Sequence, residues 1–206
     1  VSLPLLELTC CGFFLHCSKR FFHFLLDKNG QQSYYILKKI TDGHQKELTM
    51  SIRKAVPSDI PALNNLLEQV LLVHHNVRPD IFQASGRKFN DEQLKTLMSQ
   101  EHTPIFVYEN EEGKILGHLF CIIKEPHSLV LTPIKTLFIE DLCVDESARG
   151  QKIGEQLCRF AEEFAQEMDC YNLTLNVWND NAGALRFYEH QGFKPQETIM
   201  EKVFKK

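Results

Sequence analysis

A nine-residue run of β-branched and apolar residues, Thr136 to Val144, is followed by a polar glycine-bearing loop, then by apolar residues at helical spacing, then by a short alternating run. The helical stripe, within Gly154 to Asp169, gathers Leu157, Cys158, Ala161, Phe164, Ala165 and Met168, with Glu155, Arg159, Glu162 and Glu163 largely off it. That is an amphipathic helix. In the next run Leu173, Leu175 and Val177 alternate with polar residues, as in a half-buried strand. Strand, helix, strand in this order is expected to form a right-handed parallel unit. The chain is thereby committed to a sheet with helices laid on it.

The flanking segments extend that sheet. Ile52 to Ala55 reads as a strand, and Ser58 or Asp59 then caps a helix with Pro61 in its first turn and Ile60, Leu63, Leu66, Leu67, Val70 and Leu71 on one stripe. A loop with His74-His75 and Arg78-Pro79-Asp80 leads to a second helix, started by Asn90 or Asp91 and carrying Leu94, Leu97 and Met98. Strands at Ile105 to Tyr108 and Ile115 to Ile123 flank the turn Glu109-Asn110-Glu111-Glu112-Gly113. Asp180 or Asn181 caps a last helix that Gly192 ends, and a last strand is expected from Phe193 onward. The order predicts an α+β, or mixed α/β, layer fold.

The first 49 residues do not fit this plan. Leu3 to Leu25 places apolar groups on every side, without a period of 3.6 or 2. Ser18-Lys19-Arg20 stops the apolar run short of the roughly 20 residues a membrane span needs. The segment is read as an extension outside the folded domain, with Met50 as the natural start and residues 50–206 as the domain. It carries six Lys or Arg against four Asp or Glu, so the domain is more acidic than the whole chain, whose formal net charge is -4. An acidic domain favours cationic substrates such as amines and disfavours nucleic acid. No membrane partner is expected. Seven cysteines without a CxxC pair or a zinc spacing imply no metal and fit a reducing cytoplasm.

Chemistry concentrates in the loop Asp145-Glu146-Ser147-Ala148-Arg149-Gly150-Gln151-Lys152-Ile153-Gly154. Where a glycine-bearing loop enters a helix, successive N–H groups and the helix dipole can converge on an anion. A pyrophosphate would fit, with Arg149 and Lys152 adding charge. Neither a Walker Gly-Lys-Ser/Thr nor a Gly-x-Gly-x-x-Gly fingerprint is present.

Leu142-Cys143-Val144, the run Arg149-Gly150-Gln151-Lys152-Ile153-Gly154, and Asn181 to Phe193 with its Phe187-Tyr188 together resemble the GNAT acetyltransferases. The resemblance covers about Ser51 to Phe204. It implies a central mixed, mostly antiparallel sheet, splayed at a parallel strand pair and flanked by helices, and a cosubstrate, acetyl-CoA. By the same resemblance Leu142, Cys143 and Val144 offer backbone to the pantetheine arm. Residues Arg149, Gly150, Gln151, Lys152, Ile153 and Gly154 wrap the pyrophosphate, Asn181 contacts the pantetheine region, and Tyr188 is the general acid that protonates the leaving thiolate. Lys152 departs from the family pattern, which usually has Gly there. A positive φ at this residue would strain it by about 1 kcal/mol or more.

The amine must also lose a proton. Glu140 and Asp141 are the carboxylates at hand and, as neighbours on a strand, they point to opposite faces unless a bulge intervenes. Glu140 is the preferred base. His74, His75 and Arg78 border the acceptor side in the family, although loop histidines are more often merely solvated. Cys143 reads as a small strand residue and Trp178 as packing. The expected activity is acetyl transfer to a primary amine of a small molecule or a protein, by a monomer or homodimer. The rivals are an idle coenzyme A-binding module and an unrelated phosphate-ligand domain.

Overall fold

A computed structural model of the chain describes residues 52–125 and 128–204, with Leu25–Leu26 and Gln32–Ser33 paired as a two-residue antiparallel ladder. The boundary expected at Met50, and nearly all of the extension before it, lie outside the described residues.

The domain runs β1 (Ile52–Lys54), α1 (Ile60–Val77), α2 (Asp91–Ser99), β2 (Ile105–Glu109), β3 (Ile115–Lys124), β4 (Thr136–Val144), α3 (Ile153–Glu167), β5 (Asn172–Leu175) and α4 (Ala182–His190). The five strands form one sheet in sequence order, antiparallel except for the parallel pair β4 and β5. No helix among the described residues is long and apolar enough to cross a membrane.

Alternation along the strands builds two cores. Phe106, Leu119, Leu137 and Ile139 meet Leu157, Phe160 and Phe164 of α3 on one face. Ile105, Val107 and Phe120 meet Ile60, Leu63, Leu67 and Leu94 of α1 and α2 on the other. Phe106 sits edge-on to Phe160 and Phe164, with centroids 4.7 and 5.1 Å away. Each such fully buried side chain contributes about 1.5–3 kcal/mol.

The helix ends follow local chemistry. Asn90 Oδ1 accepts the Gln93 N–H while Gln93 Oε1 accepts the Asn90 N–H, both at 2.8 Å, a reciprocal cap on α2. Asp59 precedes α1 but its carboxylate turns back to the Val56 N–H at 2.8 Å and to Arg53. Pro61 sits in the first turn, as read from the sequence.

Two departures from expectation stand out. Residues 193–204 form no strand. Pro195 offers no N–H to a ladder, and Ile199, Met200, Val203 and Phe204 come in adjacent pairs, so alternation cannot place them on one face. The tail is held instead by Glu201, 2.7 Å from the Arg78 guanidinium.

The second departure is in β4. Its pairing with β3 passes from Phe120 opposite Asp141 to Cys121 opposite Ile139, which leaves Glu140 without a partner: a β-bulge. The bulge reverses the strand's phase. Leu137 and Ile139 before it and Leu142 and Val144 after it all pack toward the α3 core. Cys143 faces the other way, its Sγ 3.5 Å from the Leu66 carbonyl of α1.

Candidate active site

The parallel pairing runs from Thr136 opposite Asn172 to Ile139 opposite Leu175 and stops there. Beyond Ile139 the β5-facing edge of β4, residues 140–144, has no strand beside it among the described residues. Backbone polar groups without a partner are costly unless solvent or a ligand meets them. Into this gap opens a cavity of 680 Å³, within the range of cofactor and ligand sites. Glu140, Leu142, Cys143, Val144, Arg149, Gly150, Lys152, Ile153, Gly154, Asn181 and Tyr188 all line it. Of the residues picked from the sequence, Gln151, which is exposed, and His75 and Arg78 are outside the wall.

The loop after β4 is anchored before it turns. Asp145 caps a short 3-10 turn at Glu146–Ala148 by accepting the Ser147 N–H at 2.9 Å. Gln69 of α1 bridges it, donating to Asp145 at 3.2 Å and accepting the Glu146 N–H at 3.0 Å. Gly150 at φ 80° and Lys152 at φ 61° are both left-handed. Successive N–H groups are thereby gathered on the concave side. Within the described residues none of the N–H groups from Gly150 to Glu155 finds an acceptor; the first helical bond is Gln156 N–H to the Lys152 carbonyl at 3.1 Å. These orphan donors at the positive end of α3 suit an anion.

Lys152 and Gly154 play different parts in the loop. Lys152 does hold the positive φ that a glycine favours, with its side chain exposed. Gly154, by contrast, is an ordinary helical residue whose added Cβ would lie 3.4 Å from the Phe187 ring. Its small size serves the approach of α3 to α4. Arg149 turns its Nε toward the Val144 carbonyl, 3.4 Å away, at the mouth of the gap.

On α4, Asn181 Oδ1 accepts the Ala184 N–H at 3.1 Å, so its oxygen serves as the helix cap while its amide nitrogen remains for a ligand. Tyr188 is wedged between Phe187 and Phe193, with centroids 5.1 and 5.6 Å away. Burial, then Cys158 and Asp141, hold its phenol well above the ordinary tyrosine range. It therefore keeps its proton at neutral pH. Burial likewise pushes the Cys143 thiol up to about 12, which disqualifies it as a nucleophile.

A bulge does intervene, the condition under which Glu140 and Asp141 need not face opposite ways. Both line the cavity, and both accept from Lys88 Nζ, at 3.1 and 3.2 Å. Asp141 is buried and also accepts from His118 Nε2 at 3.0 Å. Burial raises its pKa, yet the hydrogen bond and charge of His118 with the charge of Lys88 outweigh that and leave it below the ordinary value. Sequence reading missed Lys88 and His118, since neither sits in a motif and only the bulge brings them to these carboxylates. His75 donates Nδ1–H to the Phe82 carbonyl at 2.8 Å, a structural role. Arg78 is paired with Asp80 and Glu201 and lies 5.4 Å over the Trp178 ring. Trp178 packs there and also lines the cavity.

Comparison with known proteins points the same way. A sequence profile of the acetyltransferase (GNAT) family matches residues 72–193. An uncharacterized N-acetyltransferase of Methanocaldococcus jannaschii is 26% identical over 151 residues, 73% of this chain and 63% of that protein. Glucosamine 6-phosphate N-acetyltransferase of Candida albicans is 41% identical over 91 residues, 43% of this chain and 56% of that one. The chain thus spans less than two thirds of either relative. A solved structure, a mutant protein of Bacillus halodurans, superimposes with a TM-score of 0.71 at 28% identity, over 75% of this chain and 99% of that one.

Proposed function

The chain belongs to the acetyltransferase (GNAT) family, and from that premise we propose that it transfers acetyl from acetyl-CoA to a primary amine within one ternary complex. The observation that carries this reading is the shared cavity: an unpaired strand edge at 140–144, a cradle of free N–H groups from Gly150 to Glu155, and a protonated phenol at Tyr188 open onto one space. An extended arm with a pyrophosphate at one end fits that combination, and few other ligands need all three.

Acetyl-CoA supplies the acyl group on a thioester sulfur. The residues of the chain do the rest. The cradle and the Arg149 guanidinium hold the anion, the 142–144 edge aligns the arm, and a backbone N–H at the Val144 end polarises the acyl carbonyl. Tyr188 gives its phenolic proton to the departing sulfur. No covalent enzyme intermediate is involved, in keeping with a Cys143 thiol held protonated. The paired carboxylates at 140 and 141 favour a cationic acceptor on electrostatic grounds.

Purified protein incubated with acetyl-CoA and a panel of amino sugars, amino-sugar phosphates, polyamines and peptides, followed by mass spectrometry, tests the reading. At least one product 42 Da heavier than its amine, an acetyl group in place of a hydrogen, is expected. Tight coenzyme A binding with no product from any amine would favour an idle binding module instead. Cytoplasmic residence, and a folded unit confined to residues 50–206, complete the proposal.

A further inference from the structure

We propose that His74 is the general base of this reaction, taking the proton that the acceptor ammonium must lose before it attacks; the assignment rests on the acetyl-transfer reading above. His74 comes from the last turns of α1 and lines the same cavity as Glu140, Asp141 and Tyr188. Both carboxylates are already engaged by Lys88, and Asp141 by His118 as well. Among the described residues His74 has no hydrogen-bond partner at its buried Nδ1.

Its ring is held in place by an aromatic stack. Phe82 lies against it at 4.9 Å and 21°, and Trp178 meets Phe82 edge-on at 5.6 Å and 89°. The bond from His75 to the Phe82 carbonyl fixes the loop that carries this stack. Protonation would place a charge on a partly buried ring whose Nδ1 already has no partner among the described residues, which disfavours the charged form. Burial accordingly pushes His74 below the ordinary histidine range, with Asp141 raising and Lys88 lowering it to smaller extents. These are the charged groups that face it from β4 and from the loop before α2. The imidazole is neutral at pH 7 and ready to accept.

With Nδ1 sealed, Nε2 takes the proton from the ammonium nitrogen. The electron pair left on that nitrogen bonds to the acyl carbon, the carbon–sulfur bond breaks, and Tyr188 protonates the sulfur. His74 then releases its proton to water, and the second proton that the nitrogen sheds as it becomes an amide passes through water to restore the phenol.

The test compares the parent with His74→Gln, using whichever amine the parent acetylates, from pH 5 to 9. Loss of a general base is expected to lower kcat/KM at pH 7 by about a hundredfold or more. Coenzyme A affinity by calorimetry should stay within about threefold. The deficit should shrink as pH climbs toward the amine's own pKa, where free amine no longer needs a base, and the acidic limb of the parent should vanish in the variant. A variant within about threefold of the parent at pH 7, a deficit equal at every pH, or an acidic limb that persists in His74→Gln and vanishes in Glu140→Gln would each overturn the assignment. Should the variant fail to fold, NMR titration of the parent decides: a His74 imidazole titrating at or above about 6.5 refutes it. A parent that acetylates no amine removes the acetyl-transfer reading itself; a working parent with an indifferent variant removes only His74.

Discussion

Lys152 is the position where local conformation and residue type disagree most. Its φ of 61° and ψ of 18° are left-handed, it ends the loop just before α3, and its side chain is exposed with no hydrogen bond or ion pair among the described residues. A side chain with a Cβ costs about 1–2 kcal/mol in this conformation. Glycine avoids the clash but loses about 0.5–1 kcal/mol through its freer unfolded state. Lys152→Ala keeps the clash and removes the charge, whereas Lys152→Gly removes both. The glycine variant should therefore be about 0.5–1 kcal/mol more stable than the alanine variant. For a domain of this size that is about 1–4 °C in Tm. Differential scanning calorimetry of the two variants without ligand reads it directly. Coenzyme A affinity is a separate axis, since both variants lose the ammonium and an exposed charge contact is worth up to about 1 kcal/mol. Both should bind up to about fivefold more weakly at low salt, with the gap closing as salt is added. A glycine variant no more stable than the alanine one would refute the strain argument.

Removing the phenol with Tyr188→Phe should lower kcat by about 10²–10⁴ with little change in coenzyme A affinity, measured by steady-state kinetics and calorimetry. Gly117→Ala would place a Cβ 2.8 Å from the Cys143 carbonyl and 3.1 Å from Leu157 Cδ1; it should cost about 1–3 kcal/mol in urea unfolding, by prising β3 from β4. Asp141→Asn leaves Lys88 and His118 facing a neutral group and should cost about 3 kcal/mol by the same measurement. Because the folded pKa of Asp141 is depressed, the unfolded chain takes up this proton first on acidification. The contribution is whole above the ordinary aspartate value of 3.8 and is lost as pH falls through the lower folded value, a limb that the Asn variant should lack.

The elements and the donor side of the cavity were legible because each is encoded within a few residues. Apolar periodicity placed α3, a cap at Asn90 or Asp91 placed α2, and the glycine-bearing loop marked the candidate anion cradle, with strain at Lys152 expected if its φ were positive. The acceptor side was not, because it depends on register. Nothing local marks Glu140 as bulged, since a bulge is a mismatch between two strands some twenty residues apart. Without the bulge, Lys88 has no reason to meet two adjacent carboxylates. The burial of His74 likewise depends on Phe82 folding back over α1. The tail misled for a different reason: composition suggested a strand, whereas Pro195 and paired apolar residues deny it a ladder.

The bulge at Glu140 also sets which kinds of mutational change this site can absorb. Substituting residue 140 changes one side chain and leaves the frame of the strand intact. Deleting it lets Ile139 and Asp141 follow one another in an even ladder opposite Cys121 and Phe120, so Leu142 and Val144 keep facing α3; what is lost is the local kink and the Glu140 carboxylate beside Lys88. One residue added after Asp141 does the opposite, turning Leu142 and Val144 away from α3 and Cys143 toward it. A lineage exploring new acceptors can thus rewrite position 140, or shed it, without turning the rest of the strand, whereas the length between Asp141 and Val144 is the part it must keep.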